Sequence, residues 1–186
     1  MNAIDEPVFA TARLRLDRLA GSDAPSLFAY RGDEAVARFQ GWKPATIDEV
    51  EAFIARQTAQ PFAVSGSWFQ LAIREKAGGE LLGDLGVHFP PTRDDAIEFG
   101  VSLRPDRQGR GYAREAMGAM LDQAFGPWGY RRAVGSVDPR NVASIALLRS
   151  LGFRQEAHHV EAYRFRGEWV DDVIFAMLAR EWPRSG

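Results

Sequence analysis

The sequence predicts a mixed α/β (α+β) fold built around one central sheet. Segments of strand period and helix period follow one another at short spacing, in the order strand, two helices, three strands, helix, strand, helix and two strands. The runs of consecutive strands exclude the regular alternation of a doubly wound parallel sheet. The chain has 186 residues and contains no repeat or low-complexity linker, so we expect a single domain over residues 1–186.

The first half of the chain carries a strand, two helices and two further strands. Leucines alternate with charged residues over 14–19, which predicts the first strand. A polar cap opens a helix at about 22–31, and Thr46 begins the Thr-Ile-Asp-Glu pattern of a capping box before a second helix. The segments 68–75 and 81–88 alternate as strands, and the glycines between them predict a turn.

The second half changes from strand period to helix period after residue 112. Apolar residues recur at helical spacing over 113–125, which predicts an amphipathic helix. Another helix, marked by Ile145 and Leu148, stops at Gly152 before the apolar Phe153, an arrangement typical of a Schellman motif. The remaining segments alternate as strands: 96–103, 132–137, 157–165 and 170–179.

The composition is ordinary for a soluble globular protein, with 46% hydrophobic and 26% charged residues. A net charge of -2 argues against a protein that works by being globally basic or acidic. The absence of cysteine excludes disulfides, thiolate metal sites and a cysteine nucleophile. The first ten residues lack the pattern of a secretory signal, and the longest apolar run, 173–179, is far short of the ~20 residues that span a bilayer. We therefore expect a cytoplasmic protein that binds neither membranes nor nucleic acid.

The stretch from Val101 to Arg114 runs from a strand through a glycine-containing turn into a helix. Gly109 and Gly111 allow backbone N–H groups to converge without obstruction by a Cβ atom. The helix start adds unpaired N–H groups and a positive dipole end. The stretch holds four arginines: Arg104, Arg107, Arg110 and Arg114. It predicts a pyrophosphate cradle, with an ordinary strand-to-helix turn bearing solvated arginines as the alternative.

Two better-known phosphate loops do not fit this stretch. A Walker loop ends in Gly-Lys-Ser/Thr, whereas the chain has Gly111-Tyr112-Ala113. The dinucleotide fingerprint needs a glycine at the position of Arg114 and an early βαβ unit.

A second stretch begins at Asn141, which can cap the following helix or project towards a ligand. Ser144 lies one turn on and near the same helix face. The pattern Gln108-x-x-Gly111-x-Ala113 resembles the acyl-CoA pyrophosphate motif of the GNAT N-acetyltransferase superfamily. Asn141-x-x-Ser144, followed by Leu-Leu-Arg-Ser-Leu-Gly-Phe at 147–153, resembles the second motif of that superfamily.

The resemblance extends over about 9–182. The segments 11–16, 42–44 and 163–171 are similar to one branch, the ribosomal-protein N-terminal alanine acetyltransferases. It implies a mostly antiparallel sheet of about seven strands with about four helices, in which the fourth and fifth strands splay apart around acyl-CoA. It also implies the following cofactor-binding residues: Val101, Ser102, Leu103, Arg107, Gln108, Gly109, Arg110, Gly111, Tyr112, Ala113, Arg114, Asn141 and Ser144.

The resemblance further implies direct attack of a neutral amine on the thioester of acetyl-CoA, without a metal. The acceptor is expected to be a protein N-terminus or a small-molecule amine, and the protein a monomer or a homodimer. The lack of cysteine fits direct transfer, because no cysteine acyl-enzyme can form.

A general base is needed to take the proton of the incoming ammonium. Glu98 alternates with the apolar residues of its strand, and His88 lies on a strand that could pair with it, so Glu98 is our first candidate and His88 the second. For both, a solvated strand face is the alternative. Many family members carry a tyrosine on the second-motif helix as proton donor, whereas this chain has Leu148 there, so we expect Ser144 or a water in that role.

Two functions other than acetyl transfer are alternative interpretations of the sequence. The cofactor motifs without the tyrosine also permit a non-catalytic acyl-CoA-binding module. A nucleic-acid-binding domain would use the arginines, but the net charge and their scatter argue against it.

Overall fold

The computed structural model describes residues 8–92 and 96–183. Within these residues, eight strands form one sheet in the order β1-β2-β3-β4-β5-β6-β8-β7. The strands are β1 (Phe9–Ala10), β2 (Leu14–Arg18), β3 (Ser67–Glu75), β4 (Leu81–Phe89), β5 (Ile97–Leu103), β6 (Arg132–Val137), β7 (Arg154–Phe165) and β8 (Glu168–Leu178). The helices are α1 (Ala24–Arg31), α2 (Glu34–Ala37), α3 (Ile47–Ala59), α4 (Tyr112–Phe125) and α5 (Val142–Ser150).

The predicted fold class and element order are confirmed. The structure adds the two-residue strand β1 and the four-residue helix α2, which are too short to produce a periodic pattern. None of the helices in the described ranges is long and apolar enough to cross a bilayer.

Helix ends follow the local signals in the sequence. The Thr46 hydroxyl accepts a hydrogen bond from the Glu49 N–H at 3.3 Å. The Glu49 carboxylate accepts from the N–H of Ala45 rather than Thr46, so the reciprocal half of the capping box is shifted by one residue. After α5, Gly152 takes a φ of +94°, and the Phe153 N–H donates to the Leu148 carbonyl at 3.0 Å, which completes the predicted Schellman stop.

Two apolar clusters lie on opposite faces of the sheet. The larger cluster packs α4 and α5 against the sheet through residues such as Met120 and Leu148. The smaller cluster packs α1 and α3 through Leu27 and Ile54. Helices therefore cover both faces of the sheet, and the sheet itself has a discontinuity in its strand pairing.

That discontinuity is the divergence of β5 from β6. The two strands run parallel but pair only at Ile97 with Ala133 and at Glu98 with Val134. Beyond Glu98 the carboxyl-terminal half of β5 has no pairing with β6, which confirms the predicted splay between these strands. The backbone of 101–103 is thus left facing a gap.

The sequence alone does not determine the register in which β4 pairs with β5. Gly86 pairs with Gly100 and His88 with Glu98, so all four residues lie on one face. Gly83 lies opposite Leu103, where an added Cβ would sit 2.2 Å from the Ser102 carbonyl oxygen. A glycine at this position allows β4 and β5 to approach closely beside the gap.

A buried ion-pair network joins β2, β3 and the start of α1. The guanidinium of Arg74 binds the Asp23 carboxylate through two nitrogens, at 2.7 and 2.6 Å, and donates to Asp17 at 2.7 Å. The Arg74 and Asp23 side chains are only 10% and 7% exposed. Arg15 also reaches Asp17, at 2.8 Å, from an exposed position.

Candidate active site

Two adjoining cavities open at the splay. The first, here called the loop cavity, has a volume of about 570 Å³ and is bounded by the end of β5, the following turn and the first turns of α4 and α5. Eleven of the predicted cofactor-binding residues line it: Val101, Ser102, Leu103, Gln108, Gly109, Gly111, Tyr112, Ala113, Arg114, Asn141 and Ser144.

The turn before α4 has the backbone conformation that its glycines predict. Gly109 and Gly111 lie in the left-handed region, with φ of +71° and +80°, and an added Cβ at Gly109 would meet no atom within 4 Å. Helix α4 starts at Tyr112 without a side-chain cap, so its first N–H groups are left for a ligand. Ser102, on the same cavity wall, has a buried hydroxyl oxygen without a hydrogen-bond partner among the residues that the structure describes.

Arg13, which lies between β1 and β2, contacts this turn and stabilises it. It donates to the Arg110 carbonyl at 3.1 Å and to the Glu115 carboxylate at 2.7 Å, and its guanidinium stacks over the Tyr112 ring. Sequence reasoning missed this contact, because nothing local to Arg13 indicates a partner about a hundred residues away.

The arginines of the turn divide into two groups. Arg104 and Arg107 each bind the Glu80 carboxylate at 2.6 Å, and neither lines the loop cavity. Arg110 is also absent from the lining, although its carbonyl is held by Arg13. Arg114 does line the cavity. The expectation that Arg107 and Arg110 reach phosphates is therefore not supported by their placement, and for Arg107 the reason is its ion pair with Glu80.

The second cavity, here called the sheet cavity, has a volume of about 520 Å³. Gly86 and Gly100 lie in its floor, and a Cβ added at Gly100 would meet nothing within 4 Å. Its walls come from β3, β5, β6, the segment 39–42 and the β7–β8 hairpin. The two cavities adjoin, since they share the following residues: Phe39, Gln40, Val101, Asn141, Ser144 and Leu147.

Glu98 is partly buried in the sheet cavity. Burial raises the pKa of its carboxyl group, and the nearby Asp172 carboxylate raises it further, while a hydrogen bond from the Ser136 backbone acts in the opposite direction. The Ser136 hydroxyl in turn donates to Asp172 at 2.7 Å. His88 lies beside Glu98 in register, but its ring packs on Trp68 and it does not line the cavity. Of the two predicted bases, the geometry favours Glu98.

A fully buried carboxylate supports the wall of the sheet cavity. Asp84 accepts from the Tyr30 hydroxyl at 2.5 Å, from the Nε and Nη2 atoms of Arg31, and from the Gln70 amide. The remaining Arg31 nitrogen, Nη1, donates to the Gln40 side chain at 3.1 Å. These bonds hold Arg31 and Gln70, both lining residues, in place.

The start of α5 lies where the two cavities meet. The Asn141 side chain accepts a hydrogen bond from the Ser144 N–H at 3.1 Å and so caps the helix, and both residues line both cavities. Leu148 is buried, and its side chain lies 3.2 Å from where a Cβ of Gly135 would stand. No group of three or more acidic or histidine side chains in the described ranges is placed to hold a metal.

The fold and the adjoining cavities describe a candidate active site, and the comparisons with known proteins show the family of the chain. The Acetyltransferase (GNAT) domain family matches residues 13–154. The N-acetyltransferase p20 of Bacillus licheniformis is 28% identical over 172 residues, which cover 92% of this chain and 96% of that protein. The chain belongs to the GNAT family and is an N-acetyltransferase.

Solved structures share its fold. A GNAT-family acetyltransferase from Bacillus anthracis superimposes with a TM-score of 0.85 at 20% identity, covering 94% of this chain and 100% of that one. Spermidine N-acetyltransferase from Vibrio cholerae, solved with CoA and spermine, gives a TM-score of 0.76 at 19% identity, covering 92% of this chain and 98% of that one.

Proposed function

We propose that this N-acetyltransferase moves an acetyl group from acetyl-CoA directly to a primary amine within a ternary complex. The observation that carries the proposal is that the loop cavity and the sheet cavity adjoin and share six lining residues. If the loop cavity holds acetyl-CoA and the sheet cavity holds the amine, the thioester would lie beside the amine. The two reactants could then react directly, without a covalent enzyme intermediate.

The loop cavity suits acetyl-CoA. Left-handed Gly109 and Gly111 and the uncapped start of α4 offer backbone N–H groups for the pyrophosphate. The edge of 101–103 that faces away from β4, which is not paired with β6, and the Ser102 hydroxyl offer hydrogen bonds to the pantetheine arm. Arg114 is the arginine best placed for a phosphate, and Asn141 completes the wall.

The sheet cavity suits the amine. Glu98 would bind the incoming ammonium and take its proton, and its raised pKa brings the carboxylate closer in basicity to the amine. The amine nitrogen then attacks the thioester carbonyl carbon, a C–N bond forms, and the C–S bond breaks. The nitrogen of the adduct gives up its second proton as the amide forms, and Ser144 or a water relays that proton to the departing thiolate, since Leu148 has no proton to transfer.

Thiol release from acetyl-CoA, followed with and without a panel of primary amines, tests this function. We expect release above the hydrolytic background only when an amine is present. Saturable acetyl-CoA binding with no amine-dependent release across peptides and small amines would instead indicate a non-catalytic acyl-CoA-binding module.

Replacing Gly109 by alanine is expected to raise the Kd for CoA about tenfold or more, because the new Cβ and the strained positive φ disturb N–H groups at the pyrophosphate. Gly79 offers a matched control. It has the same φ of +71° and equally open surroundings, but it lies in the β3–β4 turn, outside the loop cavity. Titration calorimetry with CoA should show weaker binding for Gly109→Ala alone. Equal affinities in the two variants would remove the loop from the phosphate site.

A further inference from the structure

Many of the residues that line the sheet cavity are aromatic. The rings come from five separate segments: Phe39, Trp42, Phe53, Trp68, Phe99, Tyr163 and Phe165. Trp42 and Phe53 stack with their centroids 4.6 Å apart. Trp68 and Tyr163 are 44% and 40% exposed although both line the cavity, so apolar surface is left open to an occupant.

Among the described residues that line the same cavity, one carboxylate is free to bind an ammonium group. Both Asp138 oxygens accept from Arg140, at distances down to 2.6 Å, so this carboxylate already has its cation. Glu98 has no cationic partner among the described residues and is the acid left to bind an ammonium. A polyamine would find no second unpaired carboxylate among the described lining residues, so only the faces of aromatic rings could meet its further charges.

The cavity also lacks a place for a carboxylate. Arg31 is the one cationic side chain among the described lining residues, and its charge is already paired with the buried Asp84 carboxylate, to which its Nε and Nη2 atoms donate. A carboxylate next to the reacting amine would therefore be buried near Glu98 without a partner, which is strongly unfavourable.

Two walls of the cavity are tied together. At the tip of the β7–β8 hairpin, Arg166 donates to the Ala37 carbonyl at 2.9 Å. This bond joins the hairpin bearing Tyr163 to the chain segment that leaves α2. The enclosed volume of about 520 Å³ is in the usual range for a small ligand.

We infer that the acceptor is a small primary monoamine with a ring-sized apolar substituent and no carboxylate beside the amine. This inference rests on the proposed function and narrows it. The amine would be held by Glu98, and the ring would pack against the aromatic walls.

Matched amines test the inference by kcat/KM in the thiol-release assay. Phenylalanine differs from 2-phenylethylamine by a carboxylate, and butylamine lacks its ring. We expect 2-phenylethylamine to exceed phenylalanine and spermidine by about 100-fold or more, and butylamine by about tenfold. A peptide with phenylalanine at its N-terminus should also be the poorer substrate.

A variant pair tests the walls. Trp68→Ala should lower kcat/KM for 2-phenylethylamine about tenfold while changing that for butylamine less than threefold. Trp169→Ala is the control, since Trp169 is 59% exposed on β8 and lies outside the cavity lining. Both replaced side chains are exposed, so the variants should fold.

The outcomes separate the inference from the proposed function. Preference for phenylalanine, spermidine or the peptide would overturn the inference while leaving amine acetylation intact. An equal effect of Trp68→Ala on the two amines would also overturn it. Absence of turnover with every acceptor would overturn the proposed function and the inference together.

Discussion

The variant Glu98→Gln is expected to lose about 100- to 1,000-fold in kcat at saturating amine, while the Kd for CoA stays unchanged. Glutamine keeps the shape of the side chain but cannot take a proton from the bound ammonium. Because Glu98 lies in the sheet cavity and not in the loop cavity, the substitution should not change the affinity for CoA. Steady-state kinetics and CoA titration measure the two effects separately.

The pH dependence gives the same prediction a second readout. Only the carboxylate form of Glu98 acts as a base, so kcat falls as the pH drops through its pKa. Burial raises that pKa, and the fall should therefore begin at a higher pH than an ordinary glutamate would give. The variant should lack this acid limb. Glu168→Gln, at an exposed carboxylate, is the control, and unchanged kcat in Glu98→Gln would assign the base to another group.

The variant Arg74→Met is expected to lower the free energy of unfolding by about 3–5 kcal/mol, because it leaves the buried Asp23 carboxylate and its neighbour Asp17 without their shared cation. For a chain of this size the loss corresponds to a drop of roughly 6–20 °C in Tm. Urea denaturation and thermal melts followed by circular dichroism measure it.

Arg15→Met provides the control within the same network. Arg15 also binds Asp17, but its side chain is 50% exposed, and an exposed pair contributes about 0–1 kcal/mol. The two variants should therefore differ by several degrees in Tm. Similar melting temperatures would mean that water reaches Asp23 once Arg74 is gone and that the network adds little to stability.

Much of the fold follows from signals between neighbouring residues. The predicted strand at 132–137 and the helix from 113 to 125 agree with β6 and α4 almost to the residue, because periodic burial is written into the segment itself. The Gly152 stop and the Asn141 cap likewise depend on contacts within about five residues. For the same reason β1 and α2 were not predicted, since neither has enough residues to show a periodic pattern of apolar side chains.

The candidate site was predictable in type but not in arrangement. The glycine turn predicted a phosphate loop, because the conformation of such a turn depends on its own residues. The resemblance to a known family assigned residues along β5 to the cofactor. The partners of the arginines were not predictable, because Glu80 reaches Arg107 across 27 positions of the chain. The bracing of the turn by Arg13 spans 97 positions.

The amino-acid sequence alone therefore predicts the element order, the α/β class and the glycine turn before α4, which arise from periodicity, capping and glycine conformations among near neighbours. Tertiary packing decides the register that sets Glu98 beside His88, the burial that raises the Glu98 pKa, and the aromatic walls of the sheet cavity. Each of these depends on strands and loops far apart in the chain, and a one-residue shift in pairing would turn every side chain to the opposite face.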